Sequence, residues 1–355
     1  MPSTVHLMRT EDEAPIASIV ERLPALIEAA GIDEIVTEGD LVALKLHLGE
    51  KPDTGYLRPP LVKAFAEMVT AWGGKPFLTD SCTLYNGRRQ NAVDYLNAAH
   101  EHGFTPDTAG APIIIADGLV GGDQVMVEVA GRHFKQVPIA MAARRAHAGL
   151  ALTHCTGHVG CGYGGAIKNI AMGLASRAGK LIQHSDTKPK VDPDACTACG
   201  LCATWCPAGA ITVEDDLARI DHEKCIGCGQ CHAVCRFHAI KHNWGESRLT
   251  QEKMVEHVMG VLADREDKWA FVNFAVNVTK NCDCLGKVEP REVPDIGVLV
   301  GRDIVAVETA SLDLIDAAAG EPLFPRLWPG LDPRIQVRRA EELGLGTSDY
   351  ELVEM

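Results

Sequence analysis

Residues 196–207 read CTACGLCATWCP, and residues 225–235 read CIGCGQCHAVC. In each run four cysteines are separated by two, two and three residues: Cys196, Cys199, Cys202 and Cys206, then Cys225, Cys228, Cys231 and Cys235. Thiols at this spacing can wrap one inorganic centre from a tight loop. Gly200, Gly227 and Gly229 allow the positive φ angles and close backbone approach that such a loop needs. Ala210-Ile211-Thr212-Val213 and Ala239-Ile240-Lys241-His242 follow the two runs at matching positions. An internal duplication of loop, short helix and strand would place them there.

The spacing resembles that of two-cluster bacterial ferredoxins, in which the fourth cysteine of each run ligates the other cluster. That pattern implies one [4Fe-4S] cluster on Cys196, Cys199, Cys202 and Cys235, and a second on Cys225, Cys228, Cys231 and Cys206. Zinc knuckles are the bland alternative, because Cys-x2-Cys pairs also suit tetrahedral zinc. Eight cysteines in two equal runs weigh against it. Pro207 follows the first run as the pattern expects, whereas Arg236 follows the second. A cation beside a cluster is expected to raise its potential.

On either side of residues 188–243 the pattern changes to short apolar runs alternating with amphipathic stretches. Residues 41–48, 76–79, 112–116, 125–130, 149–153, 270–278 and 296–300 read as strands by length and composition. Residues 16–30, 61–72, 91–102, 252–263 and 304–319 read as helices. This alternation predicts an α/β fold with a largely parallel sheet. Strands occur before and after the cysteine runs, and the piece that follows them is short for a separate domain. The expected architecture is one discontinuous α/β domain, residues 1–187 and 244–355, carrying an inserted α+β ferredoxin-like domain at 188–243. Three consecutive domains are the competing arrangement.

The chain has 355 residues and is 46% hydrophobic, enough for a large core, which excludes disorder and a small disulfide scaffold. Its 34 Lys and Arg stand against 48 Asp and Glu, and a net charge of -14 argues against nucleic acid as the main partner. The opening MPSTVHLMRTEDEA lacks the cationic and apolar regions of a secretory signal. The uncharged stretch between Arg145 and Lys168 is broken by histidines and glycines, so no membrane span is expected. A cytoplasmic protein is expected, in which 13 cysteines serve as metal ligands or catalytic groups rather than disulfides.

Open α/β sheets bind ligands beyond the carboxyl ends of their strands, and polar groups gather at four such ends here. LVALKLHLGE brings Lys45 and His47; PFLTDSCTLYNGRR brings Asp80, Ser81 and Cys82; GLALTHCTGHVGCGYGGAIKN brings His154, Cys155, His158 and Cys161; FAVNVTKNCDC brings Cys282 and Cys284. One shared site is expected. Gly164 and Gly165 belong to a glycine-rich loop whose amides, with a helix starting at Ala166 and Lys168 in its first turn, suit an anion. The segment matches neither a P-loop nor a dinucleotide fingerprint, and a tight structural turn is the alternative reading. In an extended segment Cys282 and Cys284 face the same side and Asp283 the other. They read as chelators of an additional metal or as a reactive dithiol, a disulfide between such close neighbours being geometrically disfavoured. His154 and His158 are the histidines placed for proton handling.

KLHLGE, DSCTLYNGRRQNA, HCTGHVGCGYGGAIKNIAMG, Gly179-Lys180, His184, the paired cysteine runs, and NCDC followed by Asp295-Ile296-Gly297 together resemble the DUF362 iron-sulfur proteins of bacteria and archaea. These landmarks run in family order over nearly the whole chain. The resemblance implies [4Fe-4S] binding, a redox or metal-dependent role, and the insertion of the cysteine-rich module. This chain has HCTGH where relatives have HFKGH, so Cys155 replaces an aromatic and Thr156 a lysine, and Tyr163 stands in place of a phenylalanine.

The reading placed first is an oxidoreductase in which two [4Fe-4S] clusters relay electrons from a redox partner protein to a site at the sheet edge. There Lys168 and the glycine-rich loop anchor a small anionic substrate, His154 or His158 handles protons, and Cys282 and Cys284 supply metal or thiol chemistry. An electron carrier or adaptor without its own substrate, and a metal or cofactor delivery protein, are the alternatives. No feature names a flavin or a nucleotide.

Overall fold

The computed structural model describes residues 2–52, 55–185, 188–242 and 245–355. Eight strands form the central sheet: β1 (Ser3–Arg9), β2 (Leu41–Lys45), β3 (Lys75–Asp80), β4 (Ile113–Ile115), β5 (Ala148–His154), β6 (Trp269–Ala275), β7 (Gly297–Gly301) and β8 (Tyr350–Glu354). Their order is β8-β1-β7-β6-β5-β2-β3-β4. β7 runs antiparallel to both of its neighbours, and every other pairing is parallel. The expected α/β fold with a largely parallel sheet is what the chain adopts.

The helices of the α/β body are α1 (Ile16–Ala29), α2 (Pro59–Ala71), α3 (Ala92–Glu101), α4 (Ala166–Gly173), α5 (Arg177–His184), α7 (Ser247–Leu262) and α8 (Ile304–Ala319), while α6 (Gln230–Val234) lies in the cysteine-rich segment. Alternate residues of each strand feed two cores, because successive side chains point to opposite faces. On β6, Ala270, Val272 and Phe274 join Leu23 of α1 and Phe65 of α2 on one side. Trp269 and Phe271 join Ile170 of α4, Val258 of α7 and Leu312 of α8 on the other.

Two strands of the central sheet escape the sequence reading. β1 and β8 lie at one side of the sheet, with β8 at its margin, and their alternating, charge-bearing STVHLMR and YELVE have no continuous apolar run. The strand expected over 270–278 stops at Ala275, because Asn277 takes a left-handed conformation (φ 51°) and turns the chain out of the sheet.

Residues 188–242 carry a pseudo-repeat with a small core of its own, in which Ile211, Ala218 and Ile240 pack with Cys202 and Cys231. Gly200 and Gly229 both turn at positive φ, 74° and 72°. The amide of Ala210 donates to Cys206 Sγ at 3.3 Å and that of Ala239 to Cys235 Sγ at 3.2 Å. Lys190 and Val191 pair antiparallel with Lys241 and Ile240, so the segment begins and ends side by side. The expected junctions at 187/188 and 243/244 fall on residues outside those described.

Candidate functional site

The chain fills β2, β3 and β4 outward on one flank and returns to β5 on the other side of β2, so the sheet has its topological switch between β2 and β5. A cavity of about 580 Å3 opens beyond the carboxyl ends of β2, β3 and β5, in the size range of small-molecule sites. Lys45, His47, Asp80, Ser81, His154, His158, Lys168, Cys282 and Cys284 all line it. The four strand ends singled out in the sequence therefore do converge.

Lys45 is 1% exposed. Its Nζ donates to Asn169 Oδ1 at 2.6 Å and lies 3.3 Å from Asp80 Oδ1. Burial pulls this amine down to about 8, with Asp80 opposing the shift. Asn169 on α4 also donates to Leu152 O and Thr153 Oγ1, at 3.1 and 3.0 Å, so α4 ties the ends of β2 and β5 together. Asp80 accepts further hydrogen bonds from the Tyr95 hydroxyl and from its neighbour's amide. Lys180 donates to Ser81 Oγ at 2.5 Å and to Ala175 O at 3.0 Å. Burial lowers the proton affinity of Lys168 and Lys180. Arg89 is paired with Glu50, and the three lysines Lys45, Lys168 and Lys180 share the cavity wall with the two carboxylates Asp80 and Asp283.

The Cys-Asp-Cys segment is a turn rather than an extended strand. Cys282 is extended, and Asp283–Leu285 form one 3-10 turn. The turn brings the two Cα atoms to 5.4 Å, and the sulfurs pair as a disulfide. Asp283 does point away from the sulfurs, to His154, whose Nδ1 lies 2.9 Å from Asp283 Oδ1. The other ring nitrogen of His154 faces the carbonyls of Val276 and Asn277 at 3.0 and 3.1 Å. His154 thus anchors the turn to the end of β5. Arg89 holds it from the far side, donating to Cys284 O at 3.3 Å and to Glu50 at 2.6 Å. One ring nitrogen of His158 and both sulfurs lie within 4.8 Å of one another. His158 Nδ1 accepts from the Gly160 amide at 3.0 Å, which leaves the ring proton of the neutral imidazole on Nε2. Burial, reinforced by Lys168 and His184, keeps this ring well below its usual proton affinity.

The glycine-rich segment is a β-hairpin, Thr156–His158 pairing with Gly162–Gly164. The start of α4 is not a free anion site, which corrects the role expected of Gly164 and Gly165. The Ala166 amide donates to Glu308 Oε1 at 2.6 Å, so this helix terminus is occupied by a carboxyl group of the same chain. Gly165 must be glycine because a Cβ there would fall on that carboxylate. Gly164 still faces the cavity beside Lys168.

Burial raises the thiols of Cys155 and Cys161 to about 12 and pushes Cys82 up further, so all three are inert. Arg89, Asn169, Lys180 and His184 also line the cavity, and the sequence marks them only as members of longer motifs.

In the pseudo-repeat, burial raises the Cys202 thiol, and crowding by Cys199, Cys235 and Cys196 adds to it. Cys228 is raised by burial and then by Cys206 and Cys225. Cys206, Cys225, Cys228 and Cys231 together line a second, smaller cavity.

The family model described as a domain of unknown function, DUF362, matches residues 42–313, more than half of the chain. No curated protein matches the sequence. Among solved structures, the lactate racemase apoprotein from Thermoanaerobacterium thermosaccharolyticum is similar at 10% identity and a TM-score of 0.38, over 78% of this chain and 50% of that one. The chain therefore spans half the length of that structure. Among the described residues no helix is long and apolar enough to cross a membrane.

Proposed function

The chain belongs to the DUF362 family, and from that premise we propose that it is an iron-sulfur oxidoreductase acting on a small anionic substrate in the cavity at the strand ends. The observation that carries this reading is the crossing of the two cysteine runs. Cys235 of the second run acts on Cys202 of the first together with Cys196 and Cys199, while Cys206 of the first run acts on Cys228 together with Cys225 and lines the smaller cavity with Cys225, Cys228 and Cys231. These are the ligand sets of two [4Fe-4S] clusters in the two-cluster arrangement.

The residues fit such groups on their chemistry. Crowded thiols held above their usual proton affinity need a metal charge to ionise, and amide donors already aim at Cys206 and Cys235. When bound, each cluster would supply one-electron transfer. The adjacent ends of residues 190–241 favour a ferredoxin-like domain at 188–243 nested within an α/β body of 1–187 and 244–355.

In the cavity, Lys168, Lys45 and Arg89 hold the anion. His158 lies beside the sulfurs of Cys282 and Cys284 and is the residue placed to take up and relay a proton there, whereas His154 positions the turn. Opening the Cys282–Cys284 disulfide takes two electrons and two protons and yields two thiols.

Anaerobic purification with iron and sulfide analysis tests the assignment. About eight iron and eight sulfide per chain are expected, four for each cluster. Two zinc ions and no sulfide would overturn it. A second reading, metal delivery, is favoured by the proximity of His158, Cys282 and Cys284. It requires the reduced protein to release a labile metal, beyond cluster iron, to a weak chelator. The cavity and its cations are unexplained by a simple electron carrier.

A further inference from the structure

A buried arginine seats residues 188–242 on the α/β body. Arg177, at the start of α5, is 1% exposed. Its Nε donates to Thr83 O at 3.0 Å, and its Nη1 to Val120 O at 2.6 Å and to the side-chain oxygen of Gln230. Its Nη2 donates to Gln90 O. Every one of these acceptors is neutral. Asp117 acts on it at longer range and spends one oxygen on the Cys82 amide, 2.8 Å away. A buried cation held only by neutral groups is costly unless a nearby anion balances it.

The aliphatic stem of Arg177 packs against the second cysteine loop, its guanidinium lies beside Gly121, and its Nη1 reaches Gln230 of that loop. A Cβ on Gly229 would stand 3.2 Å from Arg177 Cγ and 3.0 Å from Leu84 Cδ1, so only glycine lets the backbone beside Cys228 approach this closely. Leu84 walls the cavity, and its carbonyl lies 2.9 Å from His232 Nδ1 of α6. Cys228 is within electrostatic reach of Arg177. Cys199, of the other ligand set, is exposed.

We propose that Arg177 is the counter-cation of the cluster held by Cys206, Cys225, Cys228 and Cys231, that it raises this cluster's potential above that of the other, and that this is the cluster facing the cavity. The proposal rests on the iron-sulfur reading above. A fixed positive charge in a water-poor interface stabilises the reduced, more negative form of a cluster. It also orders the path, with electrons entering at the cluster nearer exposed Cys199 and ending beside the cavity wall. Arg236, which adjacency alone marks as the tuning cation, is exposed, where solvent and salt screen it.

The test is an EPR-monitored redox titration of full-length holoprotein, with iron counted in every sample. Arg177→Met is expected to shift one cluster to lower potential and leave the other in place. Arg177→Lys should restore most of the difference. Gln230→Glu sets an anion against the guanidinium without removing a side chain, so it decides the matter if Arg177→Met fails to fold, and the same cluster should move down. Arg236→Ala should move neither. Full iron content with unmoved potentials in Gln230→Glu, or equal shifts of both clusters, overturns the proposal while sparing the function. A wild-type chain free of iron and sulfide overturns both.

Discussion

Glu308 shows how much chemistry a single buried residue can hold out of view of the sequence. It lies within α8, where it reads as one polar residue in an apolar helix, yet it is fully buried and caps α4, 142 positions away. Burial raises its proton affinity to about 7, against the amides and the Asn273 side chain that favour the carboxylate. Its second oxygen has no hydrogen-bond partner among the described residues, which also favours the protonated acid. The folded state therefore binds a proton that the unfolded state has released above about 4.5, so the contribution is full at low pH and is lost as pH rises through about 7. Denaturant melts should show wild type losing about 2 kcal/mol relative to Glu308→Gln between pH 5.5 and 8. Parallel profiles for the two proteins would refute this. Gly165→Ala crowds the same carboxylate and should cost about 1 to 3 kcal/mol in urea unfolding, since the backbone there cannot retreat without lifting α4 from β5. Glycine content marked this segment as special; the reason, close approach of a carboxylate rather than a ligand, depends on a residue far away in sequence.

At the scale of elements, periodicity and length were enough to place the central strands and the five longest amphipathic stretches, because burial on one or both faces writes itself into composition. Ile304–Ala319 falls where the reading put it. Strands β1 and β8 and the short hairpin Thr156–His158 with Gly162–Gly164 were not legible, since none has an apolar run and all are stabilised by pairing partners. The cysteine-rich pseudo-repeat is the element with the weakest core of its own: its hydrophobic cluster has five buried side chains, two of them proposed ligands. A module that small is expected to fold only around its inorganic groups. Stripping iron and sulfide should make residues 188–242 cleavable by protease while the α/β body stays intact, because β5 and β6 pair directly and do not need the insert. Mass spectrometry of a limited digest reads this directly, and equal resistance with and without iron would contradict it.

For the whole molecule, the cavity at the β2/β5 switch gathers cations from three separate parts of the chain, Lys45 and Arg89 early, Lys168 and Lys180 after β5. A panel of small carboxylates and phosphates screened by thermal shift should yield at least one that stabilises the protein. Lys168→Met should weaken its binding about 10- to 100-fold, the worth of one charged hydrogen bond. Affinity should also fall as pH rises through about 8, where Lys45 loses its charge. An anion bound equally well by Lys168→Met would remove the lysine from the site. By itself the sequence determined the alternation that makes an α/β sheet, the spacing of the two cysteine runs, and the polar residues at strand ends, all of them local and periodic properties. Only the tertiary structure decided that four of those ends share one cavity, that His154 anchors the turn while His158 faces the sulfurs, and that Arg177 rather than Arg236 lies buried beside a ligand loop. Those outcomes depend on which strands become neighbours and how much water is excluded between them, and both are set by packing over hundreds of residues.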